Sequence, residues 1–596
     1  MTPHSSPLDV LQWLARLPFL GVDGLALLTG QPEPDIEGVL REMKQDGLVD
    51  SITPSSPELD GAPVHILSEL TRRRLTSTLG EAAARTLPLA WRDVVHRLAR
   101  LEATVALNVF AAGLVASLHR SADREVADLR ALPVRRPQDA WWPPGVQGYG
   151  CVCAAAGAAP FFVTVDRAGA PASHRAALVA GWYRFRETSP PWGNDIPPIL
   201  VLCPRPAREN DWARAVLASA ARRNTVPLRV LTAGVATGAD GFGATAWRQA
   251  QSAGRAGLLE WLPVWHTEHL SLPSTAVPDM LPAAPNEDRQ PLHRWAHDVT
   301  SGPRSATTIE RAAAIALTTS TVEKALIECL GRHPLLSEPE LAAVLRLDLR
   351  VVRRAVERAT ALSLIVRVER PGDHCRRYCL GSAGLRSLAV RDGVPVRRYA
   401  RHAGVTALPA GDGDRVPTLL HQYEHTTGAN SFFISWLDSP AGGPRLVSWL
   451  SAVESAIRFE SGGRRRWLRP DGAGNLLLGD ESFPFLLEWD RGTERVAVLA
   501  MKLARYTDYH QACRVSDAIP PALLFVTTTP QREELVWKIA AVVLRDATAC
   551  LRTSTASLLV RLGPSGAIWR TEAGSDRAQW PTTNRTTHRL PRRYAE

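Results

Sequence analysis

Lysine is scarce in this sequence, and its scarcity sets apart the few lysines that remain. Only Lys44, Lys324, Lys502 and Lys538 occur, so arginine supplies nearly all of the 70 basic residues. A bias toward arginine explains this shortage, and each remaining lysine is therefore a candidate for a specific role. The sequence also lacks any run of about 18 uninterrupted apolar residues, so it predicts no membrane-spanning helix.

A secretion signal and paired cysteine motifs are missing as well. The N-terminal stretch MTPHSSPLDVLQWLARLPFL has no basic start and no small-residue cleavage site, so it does not resemble a signal peptide. The eight cysteines form no CxxC pair, and the segment with His374, Cys375 and Cys379 lacks a fourth ligand for zinc. These absences predict a reduced, cytoplasmic protein with no membrane partner.

Length and charge indicate several domains and an anionic partner. A chain of 596 residues is too long for one core, and its 45% hydrophobic and 22% charged residues are ordinary for globular domains. The formal charge of +10 and a pI near 9.5 favour nucleic acid as the partner.

The two halves of the chain repeat each other. The segment LPFLGVDGLALLTG from Leu17 aligns with HPLLSEPELAAVLR from His333, and each continues into a second predicted helix, a strand and a strand that enters a helix. Helix-turn-helix followed by a β-hairpin is the plan of a winged helix. Downstream, PFFVTVDR from Pro160 aligns with PFLLEWDR from Pro484. The ordered matches predict an α/β (α+β) multidomain protein with a tandem duplication of a winged helix plus an α/β domain.

The second half carries charged residues at three positions where the first half does not. Loss of an Asp, a Glu and a Lys together on a retained apolar frame is typical of a decayed site. The paired positions are Asp471 with Pro144, Glu488 with Thr164 and Lys502 with about Val179, whereas Asp490 keeps Asp166 as its counterpart.

The polar residues of the second half are expected to lie close together. Asp471 and Glu488 fall on neighbouring predicted strands, and Lys502 and Tyr506 lie one turn apart on the helix that follows. Two carboxylates can hold Mg²⁺, which activates a bound water, while an ammonium can neutralise developing charge. This set suits hydrolysis of a phosphodiester.

Each of these residues also has a structural interpretation. The PDG sequence at Asp471 is a common turn, and Lys502 can be a solvated helix residue. Glu488 and Asp490 can point away from a strand edge and pair with Arg491 or Arg495. His425 and Asn430, on the preceding predicted helix, are either accessory polar groups of the site or helix-packing residues.

The stretch RPDG…FLLEWDRGTE…KLARY, with the upstream HQYEHTTGAN and winged helix, resembles the replication-relaxation family of plasmids and integrative elements. Its core is similar to the PD-(D/E)-x-K nucleases. The resemblance covers about residues 323–560 and implies a DNA-associated role in replication or relaxation, on a restriction-endonuclease-like fold. It makes Asp471 and Glu488 ligands of Mg²⁺ or Mn²⁺ and Lys502 the catalytic lysine. Asp490 stands where these nucleases usually have their lysine and is a third candidate ligand.

The repeat and the resemblance together divide the chain into six segments. The second α/β domain carries the nuclease-like residues, and the first is its degenerate copy. The predicted segments are winged helix 1 at 1–88, the degenerate domain at 89–262, a Pro-rich linker at 263–318, winged helix 2 at 319–400, the nuclease-like domain at 401–575 and a basic disordered tail at 576–596.

The second winged helix is the predicted DNA-binding element. Arginines on its second helix and its wing suit phosphate contacts and guanine readout. The first winged helix begins its second helix with Glu33, Asp35 and Glu37, which repel DNA, and is predicted to bind a protein partner or a second copy of the chain. The predicted DNA-binding residues are Arg350, Arg353, Arg354, Arg358, Arg376 and Arg377.

Two functions follow from the sequence. In the first, the protein binds DNA and cuts it as a Mg²⁺-dependent endonuclease or nickase. In the second, it is a non-enzymatic DNA-binding replication accessory or transcriptional regulator, and both α/β domains are scaffolds. Convergence of Asp471, Glu488 and Lys502 in a basic cleft distinguishes them.

Overall fold

A computed structural model gives the fold of most of the chain. The structure describes residues 6–59, 61–119, 124–137, 139–154, 157–167, 172–188, 192, 195–235, 246–252, 254–265, 291–302, 306–396, 416–437, 442–515, 520–544, 550–572 and 575–582. It shows a multidomain α/β protein with several sheets, as the sequence predicts. The chain divides into two compact units, Met1–Lys324 with Arg386–Arg398, and Ala325–Leu385 with Tyr399–Glu596.

The first unit contains a small antiparallel sheet and a larger mixed sheet. Its strands are β1 (Leu20–Gly21), β2 (Val49–Ile52), β3 (Val64–Leu67), β4 (Arg124–Ala131), β5 (Gly148–Ala154), β6 (Gly157–Val165), β7 (Ile199–Cys203), β8 (Val230–Gly234) and β9 (Arg248–Gln249). Its helices are Pro7–Arg16, Val22–Thr29, Glu33–Gln45, Glu69–Ala84, Trp91–Leu98, Leu101–Leu118, Ala172–Thr188, Pro206–Arg223, Leu258–Trp261, Leu292–Ser301 and Thr308–Thr318.

The second unit has the same kinds of element and one additional hairpin. Its strands are β10 (Leu336–Ser337), β11 (Ile365–Val368), β12 (Arg377–Leu380), β13 (Arg445–Ser451), β14 (Ile457–Ser461), β15 (Arg464–Leu468), β16 (Gly472–Leu478), β17 (Glu481–Asp490), β18 (Ala522–Thr527), β19 (Leu551–Thr555), β20 (Trp569–Arg570) and β21 (Arg577–Ala578). Its helices are Glu338–Leu345, Leu349–Ala361, Val416–His421, Tyr423–Ile434, Val496–Val515, Pro530–Val543 and Ala556–Leu562. The helices Thr321–Arg332 and Ser382–Asp392 extend across the division between the units.

The sheets of the two units share one topology. The small sheets have the orders β1-β3-β2 and β10-β12-β11, and both are antiparallel. The large sheets have the orders β4-β5-β6-β7-β8-β9 and β13-β16-β17-β18-β19-β20-β21. In each large sheet the first two pairings are antiparallel, the next two parallel and the next antiparallel. A register shift interrupts the first pairing of both.

Several local features of the backbone and core also occur twice. Phe19 and Leu335 have positive φ angles of 67° and 68°, a conformation that branched and bulky residues rarely adopt. The Asn108 side chain donates to the carbonyl oxygen of Pro18 at 2.9 Å, and Asn430 donates to that of Pro334 at 2.8 Å. Asn430 thus ties its helix to the loop before β10, in agreement with the helix-packing alternative.

A buried acid has the same partners in both large sheets. In the first unit Glu209 pairs with Arg255 at 2.7 Å and lies beside Thr232. In the second, Glu533 pairs with Arg577 at 2.5 Å and accepts a hydrogen bond from Thr553. A buried carboxylate needs a paired charge and hydrogen bonds, so this arrangement stabilises the far edge of each sheet.

The large sheet of the second unit lies between two layers of helices. Side chains alternate across a strand, and on β17 Leu486 faces the helices Val496–Val515 and Pro530–Val543 while Leu487 faces the helix Tyr423–Ile434. Glu488 and Asp490 share the face of Leu486. The alternation therefore directs both carboxylates toward the helix layer that contains Lys502.

Three sequence-based expectations need correction or comment. The predicted linker at 263–318 is wrong for the helices Leu292–Ser301 and Thr308–Thr318, whose buried residues pack into the first unit. The predicted disordered tail is wrong for residues 576–582, where β21 pairs with β20; residues 583–596 lie outside the described residues. Within the described part of the chain, one helix, Leu101–Leu118, is long and apolar enough to cross a membrane, and 61% of it is buried within the protein.

Candidate active site

Asp471 and Glu488 are neighbours across two antiparallel strands. Gly472 of β16 pairs with Leu487 of β17, and the backbone N–H of Asp471 donates to the Leu487 carbonyl at 2.9 Å. Asp471 therefore lies at the start of β16, directly beside Glu488. The predicted placement of the two acids on neighbouring strands agrees with this register.

Glu488 contacts two residues of the helix Val496–Val515. Its side chain is 1% exposed, and its Oε2 lies 2.5 Å from Nζ of Lys502. The hydroxyl of Tyr506 donates to Oε1. Leu499, Leu503, Tyr506 and Cys513 form the buried stripe of this helix, and Lys502, one turn before Tyr506, lies at the margin of that stripe with 23% exposure. Lys502 thus reaches the acids from the helix.

Asp471 is held by a backbone group and an imidazole. The N–H of Trp489 donates to its Oδ2 at 2.8 Å, and His425 Nε2 lies 3.2 Å from the same oxygen. The helix of His425 approaches β17 closely because residue 428 is glycine; a Cβ there would lie 2.2 Å from the Trp489 ring. Of the two interpretations of His425, the structure agrees with the accessory polar group.

Burial and the neighbouring charges separate the pKa values of the two acids. Burial disfavours the charge of Asp471, but the hydrogen bond from His425 and the charge of Lys502 outweigh it and lower its pKa to about 2. Burial raises the pKa of Glu488 to about 8; Lys502 opposes this rise and Asp471 adds to it. Burial also acts against the Lys502 ammonium, but both acids raise its pKa above the ordinary value. The site therefore holds a carboxylate, an ammonium and an acid that titrates near neutral pH.

These residues line one cleft of about 480 Å³ with a basic rim. Arg469 and Arg505 are exposed, and in the described part of the chain no acidic group forms an ion pair with either. Arg491 pairs with Glu424, which also binds Arg370 between β11 and β12. The basic residues that line the cleft are Arg332, His333, His421, His425, Arg469, Arg491, Lys502 and Arg505.

Asp490 does not take part in the cleft. Its carboxylate binds Arg532, with Nε at 2.6 Å from Oδ2, and accepts the N–H of Gly492 at 2.8 Å. Within the described ranges, no group of three or more His, Cys, Asp or Glu side chains is placed to hold a metal ion. The expectation that Asp490 joins Asp471 and Glu488 as a third ligand is therefore wrong for this conformation, because an arginine satisfies it.

The corresponding place in the first unit is apolar. Thr164 is 4% exposed, and Val179 is fully buried in the cluster that contains Trp182. The Trp182 indole donates to the Pro144 carbonyl at 2.9 Å, and its ring stacks on Trp212 at 5.5 Å. Aromatic and aliphatic side chains thus fill the position that the polar cleft has in the second unit.

The predicted DNA-binding arginines differ in availability. Arg350, Arg354 and Arg376 are exposed, and no carboxylate among the described residues pairs with them. The exposed Arg353 pairs with Glu338 at 3.0 Å. Arg377 is only 11% exposed and binds Glu340 at 2.6 Å, so it ties β12 to the helix Glu338–Leu345. The remaining candidate, Arg358, is exposed and has a partner within the protein.

Sequence reasoning left several cleft residues without a role. The sequence predicts that Tyr506 shares the helix face of Lys502, and the structure adds its contact with Glu488. The structure also adds Arg469, which precedes Pro470, and Arg505, which follows Lys502 by three residues. The signal available was helical spacing, since residues three apart share a helix face.

The raised pKa of Glu488 predicts how stability depends on pH. A carboxyl group whose pKa rises from 4.5 to about 8 on folding stabilises the native state fully below 4.5, and this contribution is lost as pH rises to about 8. Glu488→Gln mimics the protonated acid and does not titrate. The melting temperature of this variant minus that of the wild type, both measured with a chelator, should therefore increase by several degrees from pH 5 to pH 8.5. A difference that does not vary with pH would contradict the raised pKa.

Comparison with known proteins gives one result for this chain. Residues 327–521 match the sequence model of the family described as replication-relaxation. This stretch includes the helix Leu349–Ala361 and the cleft residues Asp471, Glu488 and Lys502. No curated protein and no solved structure matches the chain. The match supports the expected family for this part of the chain and, with it, a DNA-related function in replication or mobility.

Proposed function

We propose that the protein binds DNA through the second winged helix and hydrolyses a DNA phosphodiester in the cleft of the second unit, with a divalent metal ion. The replication-relaxation match supports the DNA-related part of this proposal. The observation that carries the chemistry is the convergence of Asp471, Glu488 and Lys502 in one cleft with an arginine rim. A phosphate backbone is attracted by such a rim.

The donor set of the cleft fits a hard divalent cation. Both acids offer oxygen ligands, which Mg²⁺ and Mn²⁺ prefer. Glu488 Oε2 is buried and receives no well-directed hydrogen bond; its contact is the Lys502 ammonium at 2.5 Å. A bound cation would supply an activated water and neutralise charge on the scissile phosphate. Asp471 and Glu488 are the residues that would hold it.

The other residues of the cleft have roles that follow from their contacts. Trp489 N–H and His425 fix the carboxylate of Asp471, and Tyr506 fixes that of Glu488. The Lys502 ammonium stays charged and neutralises a phosphate oxygen that gains charge in the transition state. Arg469 and Arg505 hold flanking phosphates, since neither forms an ion pair with a described acidic group.

The proposal is tested by incubating the protein with supercoiled, linear and single-stranded DNA in Mg²⁺ or Mn²⁺. Formation of nicked or shortened DNA that a chelator prevents is the expected result. A protein that neither cuts any of the three forms nor binds either metal in calorimetry would contradict the enzymatic part and leave the DNA-binding part.

One observation favours the non-enzymatic alternative. Asp490 is occupied by Arg532, and Glu488 is already paired with Lys502, so the acids have partners without a metal. In that case the protein is a DNA-binding replication accessory or regulator, and the cleft is a phosphate-binding groove. The cleavage assay decides between the two functions.

The helix Leu349–Ala361 is the proposed DNA-binding helix, and its two unpaired arginines test it. Replacing both Arg350 and Arg354 by alanine removes two phosphate contacts. The slope of log affinity for duplex DNA against log salt concentration should then fall in magnitude by about 2, since each contact contributes roughly 0.9. Fluorescence anisotropy across a salt series measures this slope.

The corresponding helix of the first unit offers a matched control. Arg41 and Lys44 are exposed on the helix Glu33–Gln45, and their double replacement by alanine removes the same charge. It should leave the slope unchanged, because Glu33 and Asp35 begin that helix. Equal slopes for both double variants and the wild type would show that the helix Leu349–Ala361 does not contact DNA.

A further inference from the structure

The β14–β15 hairpin presents an exposed tryptophan beside the cleft. All 18 tryptophans of the chain lie among the described residues, and Trp467 alone is exposed, with 45% of its surface accessible. A large aromatic side chain on regular secondary structure normally contributes to a core. Tryptophan is enriched at binding interfaces, so the accessible ring of Trp467 is a candidate contact for a partner.

The hairpin has one face in the core and one face in solvent. Phe459 and Leu468 are buried in the cluster that contains Leu499 and Leu503 of the adjacent helix. Trp467 alternates with Leu468, so it lies on the opposite face, where it pairs across the strands with the exposed Arg458. Packing through the buried face fixes the hairpin and leaves Trp467 partly accessible on the opposite face.

Two exposed arginines lie near Trp467, one across the strand pair and one further along the chain. Arg469 follows Trp467 by two residues, is exposed and lines the cleft next to Asp471. Arg458 lies opposite Trp467, and Glu460, further toward the hairpin turn, is an acid on the same face. The outer face thus combines a flat aromatic ring with Arg458, and Arg469, two residues after Trp467, connects the end of β15 to the cleft.

We propose that this face binds single-stranded DNA, with an unpaired base stacked on Trp467 and phosphates held by Arg458 and Arg469. The inference rests on the proposed DNA function and adds the class of substrate that enters the cleft. Every base has a flat surface that an aromatic side chain can cover, whereas in a duplex the neighbouring bases cover it. Arginine and tryptophan together therefore select an unpaired strand.

The first unit supports the assignment by contrast. Its segment between β4 and β5 has two tryptophans that pack inward: Trp142 is 3% exposed, and the ring of Trp141 lies 4.8 Å from that of Tyr149. The exposed ring occurs in the unit that has the polar cleft.

The test compares the binding of a single-stranded oligonucleotide with that of its duplex by the full chain. Trp467→Ala should weaken binding of the single strand roughly 5- to 100-fold, as expected for one lost base–aromatic stack, and leave duplex binding unchanged. Trp467→Phe keeps a ring and should bind nearly as well as the wild type. Because base stacking quenches indole fluorescence, the single strand should quench the wild type more than the Phe variant.

The outcomes separate this inference from the function on which it rests. Suppose that the Arg350 and Arg354 variant loses duplex binding as expected while Trp467→Ala binds single strands like the wild type. In that case the hairpin does not bind single-stranded DNA. A tryptophan that binds a protein would give that result. An equal loss for both DNA forms also overturns the inference. A wild type that binds neither form overturns it together with the proposed function. Unchanged melting temperatures of the Trp467 variants confirm intact folding.

Discussion

Asp471→Asn should reduce DNA cleavage by about 10²- to 10³-fold and leave DNA affinity nearly unchanged. The substitution removes one negative charge where the proposed cation would be held and keeps an oxygen that can accept the Trp489 N–H. Losing a single charge-stabilising group in an active site typically costs rates of this order. Affinity is preserved because it comes from arginines outside the acid pair. Cleavage rates and anisotropy on the same DNA measure the two effects.

Metal binding provides a second measurement on the same variant. A cation that binds only the folded protein raises its melting temperature, so Mg²⁺ or Mn²⁺ should stabilise the wild type and not Asp471→Asn. Asp480→Asn is the matched control, because Asp480 is exposed in the turn between β16 and β17 and lies outside the cleft. Unimpaired cleavage by Asp471→Asn, or an equal loss in Asp480→Asn, would contradict the assignment of Asp471 as a ligand.

Asp490→Ala should destabilise the second unit by about 3 kcal/mol or more. Its carboxylate is 3% exposed and Arg532 is 10% exposed, so the substitution leaves a guanidinium in the interior without its partner. Breaking a buried ion pair from one side costs about 3–5 kcal/mol, because a charge stays buried and unpaired. Denaturant unfolding followed by circular dichroism measures this loss.

A double variant isolates the cause of that loss. Asp490→Ala combined with Arg532→Met removes both charges and should recover much of the stability. Asp490→Ala should be folded at the start of the melt. Mg²⁺ or Mn²⁺ should then raise its melting temperature by as much as it raises that of the wild type. An Asp490→Ala variant that is as stable as the wild type but shows no metal-induced rise in melting temperature would contradict the structural role of Asp490. Asp490 would then be a metal ligand.

The repeat and the strand pattern made much of the fold predictable from the sequence. Apolar runs such as PFFVTVDR and PFLLEWDR specify buried strands, and period-two alternation places Glu488 and Asp490 on one face. Asp471 beside Glu488 follows from consecutive strands that form a hairpin. The α/β class and the neighbourhood of the two acids therefore depend on local patterns that a sequence displays.

The remaining features depend on contacts between distant residues. Nothing in the sequence near Asp490 indicates that Arg532, 42 positions later, takes its carboxylate. The helices Leu292–Ser301 and Thr308–Thr318 lie in or beside a Pro-rich stretch, where tertiary packing outweighs composition. The sequence also does not show that Trp467 is exposed, because Phe459 and Leu468 are apolar too. Only the packing of the helix Val496–Val515 decides which face of the hairpin is covered.

The apolar filling of the first unit has a consequence for stoichiometry. Among the described residues, tryptophans and Val179 occupy the place that corresponds to the cleft, so under the proposed function the two halves of one polypeptide would contribute one cutting centre. Under the proposed function, one molecule engages one strand per turnover and leaves a break in that strand alone. A break through both strands would require two polypeptides on opposite strands, and its rate would then rise with the square of protein concentration while nicking rises in simple proportion.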